Sequence, residues 1–261
     1  MYFETHAHFD DRRYDEDRDQ IIEEAKKAGV DIIVNCGSSM RSSRASVELA
    51  GRYDYIYATV GVHPHDVKSM DEEKFESLKL LASAPKVIAI GEIGLDYFYE
   101  HSERELQKVW FAKQIEFAIE IGLPVIIHNR DAHEDTFDVL EKGCQDAIAV
   151  GKVLRGVIHC FSGSAEMASR FVKLGFFIAF GGAITFKNSR KSLEAIEVVP
   201  IERILIETDC PYLAPEPFRG KRNTSAYLNF VVDKIEEVKG MGHEDIAKQT
   251  YDNAKVLFGI G

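Results

Sequence analysis

Eight times along the chain a short apolar run is followed by a longer amphipathic stretch, and this alternation restricts the possible folds more than any other feature. The runs are Met1 to Thr5, Asp31 to Cys36, Ile56 to Gly61, Val87 to Gly91, Pro124 to His128, Arg155 to His159, Phe176 to Phe180 and Arg203 to Glu207. Helical patterns follow over Asp17 to Gly29, Ser43 to Tyr53, Glu72 to Ser83, Glu103 to Gly122, Asp135 to Gly143, Ala165 to Gly175, Ser189 to Val198 and Thr224 to Lys239, with a last one from His243 to Phe258. Strand-then-helix alternation predicts a parallel sheet whose crossovers cover it with helices. Eight such units in 261 residues match a closed (β/α)8 barrel of TIM type, in the α/β class. A doubly wound open sheet is the alternative. No Pro/Gly/Ser-rich linker or low-complexity tract breaks the rhythm, so residues 1–261 are expected to form a single domain. No side-chain motif recurs with the beat, which is therefore architectural and not a sequence repeat.

Composition narrows the function classes. Hydrophobic residues at 45% and charged residues at 29% are those of an ordinary globular chain. With 32 Lys and Arg against 43 Asp and Glu the net charge is −11, which excludes a basic nucleic-acid coat protein. A polyanionic substrate then needs a local positive focus, from metal ions or an Arg/Lys rim. Cys36, Cys144, Cys160 and Cys210 form no close pair, and reduced thiols in a cytoplasmic protein are the simplest expectation. Neither a signal-peptide pattern nor an apolar run near the roughly 20 residues of a membrane span is present.

Metal-ligand side chains stand at the carboxyl ends of the expected strands, the end at which barrel active sites are built. His6 and His8 follow the first strand. On extended backbone, side chains two residues apart point the same way and can grip one cation. The fourth strand ends Gly91-Glu92-Ile93-Gly94-Leu95-Asp96-Tyr97, the fifth delivers His128 and the sixth His159. Asp209 lies just past the eighth, in Glu207-Thr208-Asp209-Cys210-Pro211. Four imidazoles and two carboxylates supply enough ligands for two divalent ions of Mg, Mn or Zn type. Such ions activate a water and offset the charge that builds on an attacked phosphorus or carbonyl. Glu92 suits the role of bridging ligand because a carboxylate offers two oxygens, and Asp209 that of the base beside the ions.

Other residues leave alternatives open. In Gly61-Val62-His63-Pro64-His65, His63 is either a substrate contact in the pocket or a hydrogen-bonded turn histidine, and His65 is the weaker candidate. His101, His133 and His243 sit among polar neighbours and read as surface groups. Thiol catalysis is disfavoured because Cys160 and Cys210 neighbour His159 and Asp209 in sequence, and adjacent strand residues face opposite ways. Gly181-Gly182 lacks the Lys and Ser/Thr of a phosphate-binding loop. Arg130, Lys187, Arg190, Arg219, Lys221 and Arg222 form the candidate basic rim. Tyr97, Phe98, Tyr99, Phe161, Phe186, Tyr212 and Phe218 lie among them. These rings suit stacking on bases, although Phe161 and Tyr212 fit equally well as packing at the barrel mouth.

At this point the chain resembles a known family, the TatD-type metal-dependent deoxyribonucleases of the amidohydrolase-like superfamily. The markers run from end to end: Thr5-His6-Ala7-His8-Phe9-Asp10, Gly61-Val62-His63-Pro64-His65, Gly91-Glu92-Ile93-Gly94-Leu95-Asp96-Tyr97, Pro124-Val125-Ile126-Ile127-His128, His159-Cys160-Phe161-Ser162-Gly163 and Glu207-Thr208-Asp209-Cys210-Pro211-Tyr212-Leu213. The resemblance implies a TIM-type barrel with His6, His8, Glu92, His128, His159 and Asp209 as ligands to one or two divalent ions. By that likeness His6, His8 and Asp209 hold one ion, His128 and His159 the other, and Glu92 lies between. The implied activity is hydrolysis of phosphodiester bonds in DNA, with trimming of single strands one form of it. Some relatives are credited with other hydrolyses, including removal of D-amino acids from tRNA. Two departures stand out. Glu4 occupies the position of the family's Asp, where it is expected to support a ligand imidazole. Thr224-Ser225 replaces the family's Glu-Pro after Arg219-Gly220-Lys221-Arg222-Asn223, which concerns loop geometry and not the ligands.

The sequence therefore leads to a cytoplasmic, monomeric metal-dependent DNase acting on DNA, with single strands as the expected form. Ion-activated water attacks phosphorus, Asp209 assists its deprotonation, and His63, Arg130 and Arg219 contact phosphate. A metallohydrolase of a carbonyl ester or amide, such as D-aminoacyl-tRNA, is the alternative, since the same activated water serves both reactions. Amidohydrolases of that kind commonly bridge their metals with a carboxylated lysine, and Glu92 stands here instead. A non-catalytic binding module is the third reading, set against the presence of all six ligands.

Overall fold

The computed structural model describes all 261 residues. Strand β1 spans Tyr2–Ala7, β2 Val30–Asn35, β3 Ile56–Val60, β4 Val87–Asp96, β5 Val125–Arg130, β6 Gly156–Ile158, β7 Phe177–Phe180 and β8 Ile204–Ile206. They follow one another in a single sheet in chain order. Ala7, at the end of β1, bridges in parallel to Cys210, just past β8, so the last strand returns beside the first. This is the strand order of a (β/α)8 barrel. A doubly wound sheet reverses its order partway, and no reversal occurs.

The helices are α1 (Arg18–Lys27), α2 (Met40–Arg52), α3 (Glu72–Ala82), α4 (Arg104–Ile121), α5 (His133–Ala149), α6 (Ala165–Lys173), α7 (Arg190–Val198), α8 (Leu228–Lys239) and α9 (His243–Phe258). Local chemistry sets several starts. Ser39 caps α2 by accepting the Ser42 N–H at 3.1 Å, and Asp71 caps α3 by accepting that of Lys74 at 2.8 Å. Several boundaries differ from expectation, among them the start of α2 at Met40 and the end of β5 at Arg130, and three others have an identifiable cause. Helix α5 runs through Gly143 to Ala149, because a Cβ at Gly143 would sit 2.9 Å from Ile115: the glycine lets α5 lie close to α4 and does not end the helix. Helix α8 starts at Leu228, since the Thr224 hydroxyl caps a separate 3-10 turn over Ser225–Tyr227. Strand β4 continues past Gly91 to Asp96 and is buried at every position.

The chain divides into two contact-dense halves. One comprises residues 1–35, 160–173 and 177–261 and holds β1, β2, β7 and β8. Here β1 pairs with β2 from Tyr2 opposite Val30 to Ala7 opposite Asn35, and β7 with β8 from Ile178 opposite Ile204 to Phe180 opposite Ile206. Apolar residues of these strands, among them Phe3, Ile33, Ile178 and Ile204, are fully or almost fully buried. Such two-sided burial is what near-continuous apolar runs in a parallel sheet produce.

The other half comprises residues 36–159 and 174–176 and holds β3 to β6. Val60 lies opposite Ile90, Ile93 opposite Ile127, Gly94 opposite His128 and Ile127 opposite Ile158. Two buried glutamines of α4 tie down strand ends. Gln114 accepts the Val62 N–H at 2.8 Å and donates to the Val62 carbonyl at 3.1 Å. Gln107 does the same for the backbone of Asp96, at 2.8 and 3.0 Å. No helix is long and apolar enough to cross a membrane.

Candidate metal centre

In the first half, backbone pairing at the end of β1 assembles a cluster. Asp209 N–H donates to the His6 carbonyl at 3.0 Å and His8 N–H to the Cys210 carbonyl at 2.8 Å, so the two segments are zipped in register. The two imidazole Nε2 atoms stand 3.1 Å apart, and Asp209 Oδ1 lies 3.5 Å from that of His8 and 3.9 Å from that of His6. Asp209 has φ of 55°, a left-handed conformation that aspartate tolerates better than most residues. Asn35, at the end of β2, fixes the loop beyond: its Oδ1 accepts the Phe9 N–H at 2.6 Å and its Nδ2 donates to Asp10 at 3.0 Å.

Glu4 is fully buried, and its role differs from the one expected. Its Oε1 accepts the backbone N–H of His6 at 3.2 Å and of Thr208 at 2.9 Å, while Oε2 accepts the Thr208 hydroxyl at 2.5 Å. It therefore fastens the backbone of His6 and Thr208 and not an imidazole ring. Burial pushes its carboxyl up to about 7, against the lowering effect of Thr208 and Ser225. Beside this cluster the Cys210 thiol is wholly buried and pushed up to about 12 by that burial, which removes it from thiolate chemistry at neutral pH.

The second half holds a richer cluster. Glu92 Oε1 lies 2.9 Å from His128 Nδ1, 3.0 Å from His159 Nε2 and 3.5 Å from His63 Nε2. His128 Nε2 is 3.0 Å from Asp96 Oδ2, and that same oxygen is 2.9 Å from His65 Nε2. Burial pushes the Glu92 carboxyl up, but His63, His159 and His128 outweigh it and hold the group well below the usual carboxylate range. Burial drives His63 far below the ordinary imidazole value, helped by His128 and opposed by Glu92, so His63 is neutral with a lone pair to offer. His128 goes the other way: burial lowers it, yet hydrogen bonds to Asp96 and Glu92 raise it overall. Asp96, despite burial, is held below its usual range by His128 and His65.

A glycine makes this geometry possible. Gly94 has φ of +144°, and a Cβ there would meet the His128 carbonyl oxygen at 1.9 Å, so only a bare backbone lets β4 approach β5 at the ligand position.

All six expected ligands fall into these two clusters: His6, His8 and Asp209 in one, Glu92, His128 and His159 in the other. Their chemistry suits a divalent cation. Imidazole nitrogens and carboxylate oxygens converge within ligand-to-ligand distances, in the sets His6/His8/Asp209 and His63/Glu92/His128. His63, expected at a phosphate, lies within the Glu92 cluster itself. Arg130 is exposed, with its guanidinium carbon 4.1 Å from the Phe98 ring centre. Arg219 lies 4.3 Å over Phe186 and 4.0 Å from Glu216. Of the open aromatic assignments, Phe161 is buried and packs on Phe171 and Phe180, whereas Tyr212 is 45% exposed beneath Arg13. Phe218 stacks on Tyr227. Arg222 is engaged by Asp17. His101 is exposed, as expected, while His243 is half-buried and bonded to Tyr2 and Asp233.

Asp96 and His65 are the functional-site residues that sequence reasoning underrated. Strand parity held part of the signal: Asp96 is four residues beyond Glu92 on β4 and so on the same face, whereas His65 follows His63 by two residues in the turn beyond β3, where no such parity applies.

Comparison with known proteins agrees with this geometry. The family model "TatD related DNase" matches residues 3–259. The chain is 46% identical over 260 residues to the uncharacterized metal-dependent hydrolase YabD of Bacillus subtilis, covering 100% of both chains. It is 35% identical to the 3'-5' ssDNA/RNA exonuclease TatD of Escherichia fergusonii, covering 99% of each. Among solved structures, the TatD homolog YjjV of Escherichia coli K12 superimposes with a TM-score of 0.91 at 30% identity, over 100% of this chain and 98% of that one. With an end-to-end family match, a (β/α)8 strand order and clustered histidines and carboxylates at the strand ends, the chain belongs to the TatD-related DNase family of metal-dependent hydrolases.

Proposed function

We propose that this protein hydrolyses phosphodiester bonds in single-stranded DNA, trimming the strand from an end. The observation that carries the reading is the pair of ligand clusters, each combining imidazoles with an anionic carboxylate at strand carboxyl ends. His6, His8 and Asp209 would hold one divalent ion, and Glu92 with His128 and His159 a second, of Mg, Mn or Zn type. Bound divalent ions supply Lewis acidity and make water acidic enough to ionise near neutral pH. The chain does the rest. Asp209 Oδ1 would take a proton from the attacking water, whose oxygen bonds to phosphorus as the P–O bond to the leaving nucleotide breaks, and that proton is then released to the leaving oxygen, which departs as a hydroxyl. His63, neutral and buried, fixes Glu92, and Asp96 fixes His128, so the ligands are oriented before substrate arrives. Arg130 and Arg219 are each available to offset phosphate charge. Two relatives named 3'-5' ssDNA/RNA exonuclease TatD, from Escherichia fergusonii and Shigella flexneri, support this substrate class.

The test is degradation of 3′-labelled and 5′-labelled single strands with added Mg²⁺ or Mn²⁺, comparing native protein, chelator-treated protein and His128→Ala. Metal-dependent shortening abolished in the variant is the expected result, and the surviving label gives the polarity. Native protein with confirmed metal that leaves DNA and RNA intact overturns the reading and directs attention to ester, amide and aminoacyl-tRNA substrates.

A further inference from the structure

Just beyond β4 lies a cluster of aromatic side chains that the metal chemistry does not use. Phe98 and Tyr99 are large, apolar and 56% and 50% exposed. Their rings meet at 90° with centres 4.8 Å apart, and Tyr99 lies flat against His101 at 5.5 Å and 4°. The Arg130 guanidinium rests over both, 4.1 Å from Phe98 and 4.7 Å from Tyr99. An exposed pair of large aromatic rings in contact with each other marks a candidate binding surface.

The state of Arg130 says what kind of ligand fits. Arg104, Arg190, Arg219 and Arg222 each face a carboxylate: Glu100, Glu194, Glu216 and Asp17. Arg130 has no such partner, and rings alone hold it in place. A cation held on an aromatic surface and left without an anion is matched to a ligand that brings a π-face and a negative charge together, as a nucleotide does. An acidic peptide would use the charge but not the ring faces.

The surface is also fixed relative to the Glu92 cluster. Asp96 Oδ1 accepts the backbone N–H groups of Phe98 at 3.0 Å and Tyr99 at 2.9 Å, while its other oxygen bonds His65 and His128. Tyr97 N–H donates to the Arg130 carbonyl at 2.9 Å, closing the loop onto β5. One carboxylate thus orients a candidate ligand histidine and the aromatic loop together, and the platform is set without ordering cost on binding.

We infer that Phe98, Tyr99 and Arg130 form a base-stacking subsite for single-stranded nucleic acid, in which an unpaired base lies on the two rings and Arg130 meets an adjoining phosphate. The inference rests on the nuclease reading for its choice of polymer but concerns binding, which is measurable without cleavage. It gives a protein of net charge −11 a local means of holding a polyanion, and one indifferent to sequence, because every base has a π-face.

The experiment is a fluorescence titration of the full metal-loaded protein with a short phosphorothioate strand carrying one 2-aminopurine, and with the same strand made abasic at that position. Native protein is expected to quench the probe and to bind the base-bearing strand about tenfold tighter than the abasic one. The double variant F98L/Y99L keeps apolar bulk, removes the π-faces and should lose that preference at an unchanged melting temperature. The ring-conserving F98Y/Y99F should keep it. R130M should weaken both strands and lower the salt slope by about one phosphate contact. Equal binding of the two strands by native protein, or full retention of the preference by folded F98L/Y99L, overturns the subsite. Stacking by a native protein that cleaves no nucleic acid leaves the subsite standing and removes the nuclease reading. Cleavage by a protein with no base preference does the reverse.

Discussion

Gly94→Ala tests how the fold builds the Glu92 cluster. The added Cβ would meet the His128 carbonyl oxygen at 1.9 Å and its carbonyl carbon at 2.9 Å, both backbone atoms. They cannot swing aside, because Gly94 and His128 are partners in the β4–β5 ladder. At φ of +144° alanine is also conformationally strained, at about 1–3 kcal/mol, and forcing the strands apart adds about 1–3 kcal/mol as overpacking does in a core. A loss of about 2–6 kcal/mol is a large part of the roughly 5–15 kcal/mol that holds a domain folded. Gly122→Ala is the matched control. Its φ of +75° is also positive, in the left-handed helical region, but no atom lies within 4 Å of the new Cβ, so only the conformational cost of about 1–2 kcal/mol applies. Urea unfolding followed by circular dichroism, at equal metal content, gives both values. The Gly94 variant should unfold at markedly lower urea and lose bound metal with its stability. If it loses no more than the Gly122 variant, the close approach of β4 to β5 does not govern this site.

Asp209→Asn keeps the shape of the first cluster but removes its anionic charge, so metal bound after dialysis, counted by mass spectrometry, should fall with an affinity loss of at least about tenfold. Lys86 donates to the carbonyls of Ala50, Tyr53 and Asp54 at 2.8, 2.5 and 3.1 Å at the end of α2, so Lys86→Met should cost about 1–3 kcal/mol in thermal unfolding. Asp135 is held below its ordinary value by Lys108 and Tyr97. A depressed carboxyl stabilises above about pH 4 and loses that contribution as pH falls through its folded value, so Asp135→Asn should flatten the acid limb of the stability profile. The group is solvent-screened, so the change should stay below about 1 kcal/mol; a larger one would mean that Asp135 does more than pair with Lys108.

The strand and helix order was readable from apolar periodicity, since eight buried parallel strands must be apolar on both faces and their covering helices on one. The six candidate ligands were legible as candidates too, because each stands in the carboxyl half of a strand or just past its end, the side of a barrel on which sites are built. Sequence could not supply the partners of those ligands. Nothing in the pattern says that Gln107 and Gln114 turn inward from α4 to hold strand ends, or that Glu4 fastens backbone and not a ring. Hydrogen bonds between residues distant along the chain depend on angles and distances that periodicity does not carry. The same holds for charge. Sequence placed Arg130, Arg219 and Arg222 on one basic rim, and only the tertiary structure separated Arg222, engaged by Asp17, from Arg130, held on aromatic rings. Periodicity specifies which face a residue occupies because the backbone repeat is fixed; which neighbour it meets there is decided by packing, and the protonation and ligand chemistry of the site follow from that neighbour.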